Sequence, residues 1–505
     1  MAILQTILSW FNSRRIEEID RYTHHSEEIQ GYMFLQLLDR AKHTWWGNKY
    51  QFSSISTYQD FKSRIPLQFY EDIKPYVDRI IKGEENVLWP GKTEWFAKSS
   101  GTTHSKSKFI PITSDSLENC HYRASKDIQS IYFRNNPQNN VLGGRTLTLG
   151  GSHRVSCIND GVNIGDLSAV MLENLPFWTD LYRTPSREVA LIEEFDQKVE
   201  QIIKHSIKED VTAFAGVPSW YLVLFQRIIE KTGAANIHEI WPNMELFVHG
   251  GISFTPYREQ YKKIFPSEKM HYLETYNASE GFFAIQDVFS RDDMLLMIDL
   301  GIFYEFIPMD QYCGTESDTI TLADVEKDKN YALVISTNGG LWRYIIGDTI
   351  KFTSTHPYRI KITGRTKHFM NAFGEEVIIE NALYAMDKAC KLTGAEVKEF
   401  TAAPVFFTDK EKGHHQWAIE FEKEPNSIEQ FKVSLDKALQ EINSDYEAKR
   451  YKDTTLNPPE IFHIKNNSFW RWCDQKGKIG GQNKIIKLSN ERFFIEQIIL
   501  LEQQT

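Results

Sequence analysis

Apolar residues along this chain recur either at helical spacing or in short runs closed by glycine and polar turns, and the two patterns alternate. Residues 1–94 read mostly as helix, with an aromatic pair at Trp45 and Trp46 and a polar loop from Gln51 to Thr57. At the very start Ile3, Leu4, Ile7, Leu8 and Phe11 share one helical stripe, which predicts an amphipathic packing helix. A second helical stretch is predicted over Leu117 to Phe133. From Arg145 the punctuation becomes that of an α/β protein: the run TLTLGG, a helix from about Ser186 to Ile207, the run VTAFAGVP, and a helix from Trp220 to Lys231. Thr184-Pro185 suits a helix start, and Val189, Ile192, Val199, Ile203 and Ile207 form a buried stripe. Thr232-Gly233 is its successor's stop. Runs at Leu246 to Val248, Phe282 to Val288 and Ala332 to Ser336 read as strands.

After Gly364-Arg365 the organisation changes. A helix from Val377 to Leu392, strands near Val405 and over Trp417 to Phe421, a helix from Ser427 to Ile442 and a strand near Ile461 make a small α+β unit. The expected fold is therefore α/β: a large N-terminal domain over 1–365, with β-sheets flanked by helices, and a small C-terminal α+β domain over 366–505. A length of 505 residues supports more than one core.

Composition narrows the partners. The formal net charge of -10 and the lack of a long basic run disfavour nucleic acid and leave a small molecule as the expected partner. No apolar run approaches the roughly 20 residues that span a bilayer, and the N-terminus lacks the basic lead and cleavage site of a signal peptide, so no membrane association is expected. The five cysteines are odd in number and scattered, which predicts a reducing cytoplasm and buried thiols. The adjacent pairs His24-His25 and His414-His415 lack the i, i+4 spacing of a helical metal site and are read as surface residues.

The chemistry begins in WFAKSSGTTHSKSKFIPIT, residues 95–113. Ser99, Ser100, Thr102 and Thr103 offer hydroxyl donors, Gly101 lets the backbone turn its N–H groups inward, and Lys106 and Lys108 add positive charge. An anion fits such a concavity, although the loop is not a Walker sequence. With the Leu117 helix soon after it, the loop also reads as a loop-then-helix anion site. An ordinary polar turn is the alternative from this stretch alone.

Three later segments, TYNASEG at 275–281, WRYIIGD at 342–348 and ITGRTKHFMNAFGEEVIIE at 362–380, give the loop company. In this order SSGTT, YNASE and YIIGD resemble the nucleotide motifs of the plant auxin-responsive (Gretchen Hagen type) acyl-acid amido synthetases, within the acyl-adenylate-forming superfamily. LYRTPSR at 181–187 and QNKIIKL at 482–488 extend the likeness over most of the chain. The resemblance implies a ligase that uses ATP and Mg²⁺ to adenylate a small carboxylic acid and passes the acyl group to an amino acid. Coenzyme A as acceptor and a non-catalytic nucleotide-binding protein are the alternatives.

By the same resemblance Ser99, Ser100, Gly101, Thr102 and Thr103 would grip the phosphates, and Glu280 would hold Mg²⁺, which prefers carboxylate and phosphate oxygens. Tyr276, with Asn277, Ala278 and Ser279 beside it, would border adenine. Asp348 would accept hydrogen bonds from the ribose hydroxyls, and Arg365 and Lys367 would mark the hinge of the small domain. Lys484, with Lys478 and Lys487 as rivals, would reach the acyl oxygen and α-phosphate. Asn277 and Ala278 depart from the usual motif. Tyr122 and Arg123 are candidates for the acid's carboxylate.

Overall fold

A computed structural model of the chain describes residues 13–99, 108–149, 156–159, 161–192, 195–251, 254, 257–366, 369–370, 377–405, 413–443, 446–447, 450, 456–465, 468–475, 485–489 and 491–504. The stripe from Ile3 to Phe11 lies outside them. In the helix Tyr22–Ala41 the buried residues Gln30, Met33, Phe34, Leu37, Leu38 and Ala41 recur every three or four positions. Helix Trp45–Lys49 starts where Thr44 Oγ1 accepts from the Gly47 N–H at 2.9 Å. This helical layer covers a twelve-stranded mixed sheet.

Five of the twelve strands form a parallel run. Strands Arg183–Thr184, Arg145–Thr148, Val211–Gly216, Leu246–Gly250 and His271–Ala278 lie in that order and run the same way. The order then continues antiparallel through Gly281–Ile285, Met294–Leu296, Tyr358–Arg365, Tyr344–Thr355, Asn330–Thr337, Ile302–Pro308 and Ile320–Thr321. Both faces are covered, so the strand Ile302–Pro308 is buried at every position, and alternation of polar residues is lost there. Helix Pro218–Thr232 has proline in its first turn and ends at Gly233, φ 68°, as its sequence punctuation requires.

Three sequence expectations change, the third of them at His415 in the C-terminal domain. The helix expected from Ser186 to Ile207 is two pieces, Arg187–Ala190 and Phe195–Ser206. The first is held by Arg187, whose guanidinium donates to the Glu173 and Leu175 carbonyls at 3.1 and 3.0 Å and so caps the preceding helix Leu167–Asn174. The apolar period nevertheless survives, since Val199 and Ile203 are buried in the same cluster. Among the cysteines, Cys120 and Cys473 are buried, but Cys157 and Cys313 are exposed.

The C-terminal domain is a three-stranded sheet, Glu396–Val405, His414–Lys423 and Glu460–Ile464, backed by helices Ile379–Thr393 and Ile428–Ile442. Small residues Ala382, Ala385 and Ala389 of one helix and Phe431, Leu435 and Leu439 of the other belong to one core with Trp417 and Phe421. Each large apolar side chain buried there is worth about 1.5–3 kcal/mol. The surface assignment of His415 fails: alternation along its strand turns it inward, 0% exposed, with its ring 5.5 Å from Tyr446. The domain meets the large one partly through helix Arg258–Ile264, where Lys263 forms an ion pair with Glu396 and Glu259 is drawn electrostatically to Lys391. No helix among the described residues is long and apolar enough to cross a membrane.

Candidate active site

The parallel strands end at Gly216, Gly250 and Ala278, beside the point where the sheet changes from parallel to antiparallel. A ligand site belongs at such strand ends. Here the chain turns back through Ser279 and Glu280 into Gly281–Ile285, pairing Ala278 with Gly281 and Asn277 with Phe282. Asn277 is exposed, whereas Ala278, Ser279 and Glu280 are half-buried. Cys120 steadies the returning strand, its Sγ accepting from the Phe282 N–H at 3.3 Å, and burial pushes that thiol up to about 12.

Tyr276 donates its hydroxyl to Asp348 Oδ2 at 2.7 Å. Both are buried, 4% and 5% exposed. Their strands stand four positions apart in the sheet order, which in a flat sheet is about 19 Å. Two side chains cannot reach across that, so the antiparallel half must curl, and the bond joins the YNASE and YIIGD segments. The Tyr276 ring packs 4.8 Å from Phe283, so with its hydroxyl on Asp348 the tyrosine has little of its own face exposed. Gly347 precedes Asp348 with φ 89°, a conformation that costs glycine least, and its carbonyl accepts from the Thr366 N–H at 2.8 Å. Asp348 lies opposite Arg365 in register. At Gly364 a Cβ would come 3.1 Å from Ile379, where the C-terminal helix begins, so the two domains approach closely at the end of this strand.

Ser99 ends strand Trp95–Ser99, which pairs with Lys108–Ile112 with Ser99 opposite Lys108. The strands that flank the Ser/Thr/Gly segment are thus an antiparallel pair. Five strand residues follow it before Ser114, and Thr113 Oγ1 itself caps that helix by accepting from the Ser116 N–H at 3.0 Å. The loop-then-helix expectation is therefore corrected. Ser100, Gly101, Thr102, Thr103, Lys106, Lys367, Lys478 and Lys484 lie outside the described residues.

Other candidates have prior commitments. Arg123 donates to Asp299 Oδ2 at 2.7 Å, a carboxylate shared with Arg15 at 2.6 Å, and Tyr122 donates to the Met171 carbonyl at 2.9 Å. The structure gives them to packing instead of a substrate carboxylate. Lys487 is paired with Glu399, 4.9 Å over the Phe400 ring, on a segment whose Leu488 bridges Ala402. This removes it as a rival to Lys484.

The sequence reading missed the partner of Arg343. That residue, at φ 44°, donates to Glu305 at 3.0 and 3.1 Å, to Thr319 Oγ1 at 2.6 Å and to the Ile65 carbonyl at 2.6 Å, tying the helical layer to the strand that carries Asp348. A signal existed: Arg343 in LWRYII and Glu305 in IFYEFIP are lone charges in apolar runs, and such charges are paired when buried. Among the described residues no three His, Cys, Asp or Glu side chains converge as a metal-binding group. A single turn carboxylate such as Glu280 still suits Mg²⁺, which is commonly held by one or two carboxylates plus substrate phosphates.

The fold is that of the acyl-adenylate-forming ligases. A 2-hydroxyisobutyryl-CoA ligase in its postadenylation state superposes with TM-score 0.60 at 12% identity, over 95% of this chain and 92% of that one. A GH3.15 acyl acid amido synthetase superposes with TM-score 0.79 at 17% identity, over 97% and 95%. The chain belongs to the GH3 family: its N-terminal domain matches residues 15–270, its central domain 295–365 and its C-terminal domain 380–492. The indole-3-acetic acid-amido synthetase GH3.4 of Arabidopsis thaliana is 22% identical, covering 91% of this chain and 88% of that relative.

Proposed function

We propose that this chain is an ATP-dependent acyl-acid amido synthetase. It joins a small carboxylic acid to the amine of an amino acid, and the division between its domains falls at 365/366. The observation that carries the reading is the Tyr276–Asp348 hydrogen bond at the carboxyl ends of the strands, in a chain matched by all three GH3 domains. The scattered cysteines suit a reducing cytoplasm.

In the first step an oxygen of the acid attacks the α-phosphorus of ATP, the bond from that phosphorus to the bridging oxygen breaks, and pyrophosphate leaves. The main obstacle is repulsion between two anions, so positioning and neutralisation are what the protein supplies. Ser99, Ser100, Gly101, Thr102 and Thr103 hold the phosphates. Asp348, aimed by Tyr276, accepts from the ribose hydroxyls, while Asn277, Ala278 and Ser279 border the base. Glu280 would hold Mg²⁺, which would supply charge neutralisation at the phosphates. Lys484 comes from the C-terminal domain to the acyl and α-phosphate oxygens, and Arg365 and Lys367 form the hinge for that movement. In the second step the amine nitrogen bonds to the acyl carbon, the acyl–phosphate bond breaks, and AMP leaves with a proton released.

The test has two parts. Exchange of pyrophosphate into ATP should depend on an acid from an aryl, indolyl and aliphatic panel, and AMP release should then depend on an amino acid. Dependence on coenzyme A alone would replace the amide reading with a thioester ligase. No exchange with any acid would leave a nucleotide-binding protein.

A further inference from the structure

The aromatic pair Trp45 and Trp46 belongs to none of the nucleotide motifs. The Trp46 ring packs against Tyr50, four residues on, with centroids 4.7 Å apart, and edge-on against Tyr76 at 4.8 Å. Tyr76 lies on helix Tyr70–Ile81 one turn after Asp72, so ring and carboxylate share a face. Trp46, Tyr50 and Tyr76 wall a cavity of about 320 Å³, inside the range of about 300–1,000 Å³ typical of small-ligand pockets. Gln68, Asp72 and Glu316 line it as well, the last from the turn Gly314–Glu316.

Most of the unmatched polar groups of this lining are oxygens. Gln68 is 2% exposed, and its amide nitrogen donates to the Trp342 carbonyl at 2.9 Å, which leaves the amide oxygen without a partner among the described residues. One Asp72 oxygen accepts from the Phe69 N–H at 2.8 Å, but neither Asp72 nor Glu316 is ion-paired among the described residues. The exception is the Trp46 indole N–H, a buried donor without a partner. Among the described residues that line the cavity none is a lysine, arginine or histidine.

The ring cluster already holds one ammonium. Lys49 Nζ stands 4.9 to 5.4 Å from the centroids of Trp45, Trp46, Tyr50 and Tyr76 and donates to the Tyr76 hydroxyl at 3.0 Å. Ring faces of this kind attract cations through their quadrupole. Arg79, over the Trp45 ring, is committed to Glu84. Against the two carboxylates, Lys49 alone leaves the rim negative.

We propose that this cavity is a second ligand site and takes a small organic ammonium ion. The rings meet its apolar part and its charge, Asp72 and Glu316 balance that charge, and the Gln68 amide oxygen accepts an N–H. The site is tied to the nucleotide strand. Gln68 donates its backbone N–H to the Arg343 carbonyl at 3.0 Å and accepts from the Ile345 N–H at 2.8 Å, on the strand Tyr344–Thr355 that carries Asp348.

Equilibrium dialysis of the full-length protein with phenethylammonium tests this, with phenethyl alcohol as the neutral analogue and hydrocinnamate as the anion. The ammonium should bind at least tenfold more tightly than either analogue. Asp72→Asn combined with Glu316→Gln should abolish that preference with Tm unchanged, because an amide oxygen still accepts from the Phe69 N–H and Glu316 is exposed. Tyr76→Leu, which deletes one wall, should weaken ammonium binding at least fivefold. A preference for the ammonium that survives intact in the charge variant puts the amine elsewhere and overturns the proposal. Equal binding of ammonium and alcohol to the wild type, or no measurable binding of the ammonium, overturns it as well.

Discussion

Replacing Tyr276 with phenylalanine removes one oxygen and tests whether the bond to Asp348 serves nucleotide binding or only folding. In the wild type the phenol donates to a buried carboxylate at 2.7 Å. A hydrogen bond to a charged group is worth about 1.5–3 kcal/mol, and the variant leaves Asp348 one donor short. If that energy orients Asp348 toward the ribose, kcat/KM for ATP in the exchange reaction falls by about 10- to 100-fold, since 1.36 kcal/mol is tenfold in rate. The ring is kept, so the contact with Phe283 remains and the fall in Tm should be a few degrees. Asp348→Asn and the double variant complete a cycle, and their effects on kcat/KM should be strongly non-additive. A lowered Tm with kcat/KM for ATP within twofold of wild type would refute the reasoning and make the bond purely structural.

Three further outcomes are expected. Arg343→Met leaves Glu305 charged, buried and without its main partner, so urea denaturation should show a loss of about 3–5 kcal/mol; a loss below 1 kcal/mol would contradict the assigned role. Burial lowers His121 to about 4, so the folded form prefers the neutral ring, and its contribution is present above about pH 6.5 and lost as pH falls from there toward 4. Wild type should therefore lose stability faster than His121→Leu across that window, and parallel curves would sink the claim. Lys484→Ala should slow exchange at least tenfold with Tm unchanged, and full activity would remove the lysine from the mechanism.

The local elements were largely readable because their cues are local. Gly233 stops its helix, Ser427 caps the helix Ile428–Ile442 by accepting from Gln430 at 3.3 Å, and Val199 and Ile203 keep their period. What stayed hidden needs tertiary information. No periodicity reveals that Tyr276 reaches Asp348, because the contact depends on how strongly the sheet curls. Nor does a doublet reveal that His415 faces inward while His414 does not, since that follows from strand register. Arg123 looked available because Arg15 and Asp299 are far from it in sequence.

The seam between the domains carries a sign code. On one helix Glu259 and Lys263 stand one turn apart, and they face Lys391 and Glu396 respectively. Slipping the small domain by one turn, about 5.4 Å, would set carboxylate against carboxylate or ammonium against ammonium. The contact therefore acts as a key that accepts one docking register and rejects its neighbours. Since Lys263 is exposed and only Glu396 is partly covered, with a Debye length of about 10 Å at 0.1 M salt, electrolyte loosens the key without altering its pattern.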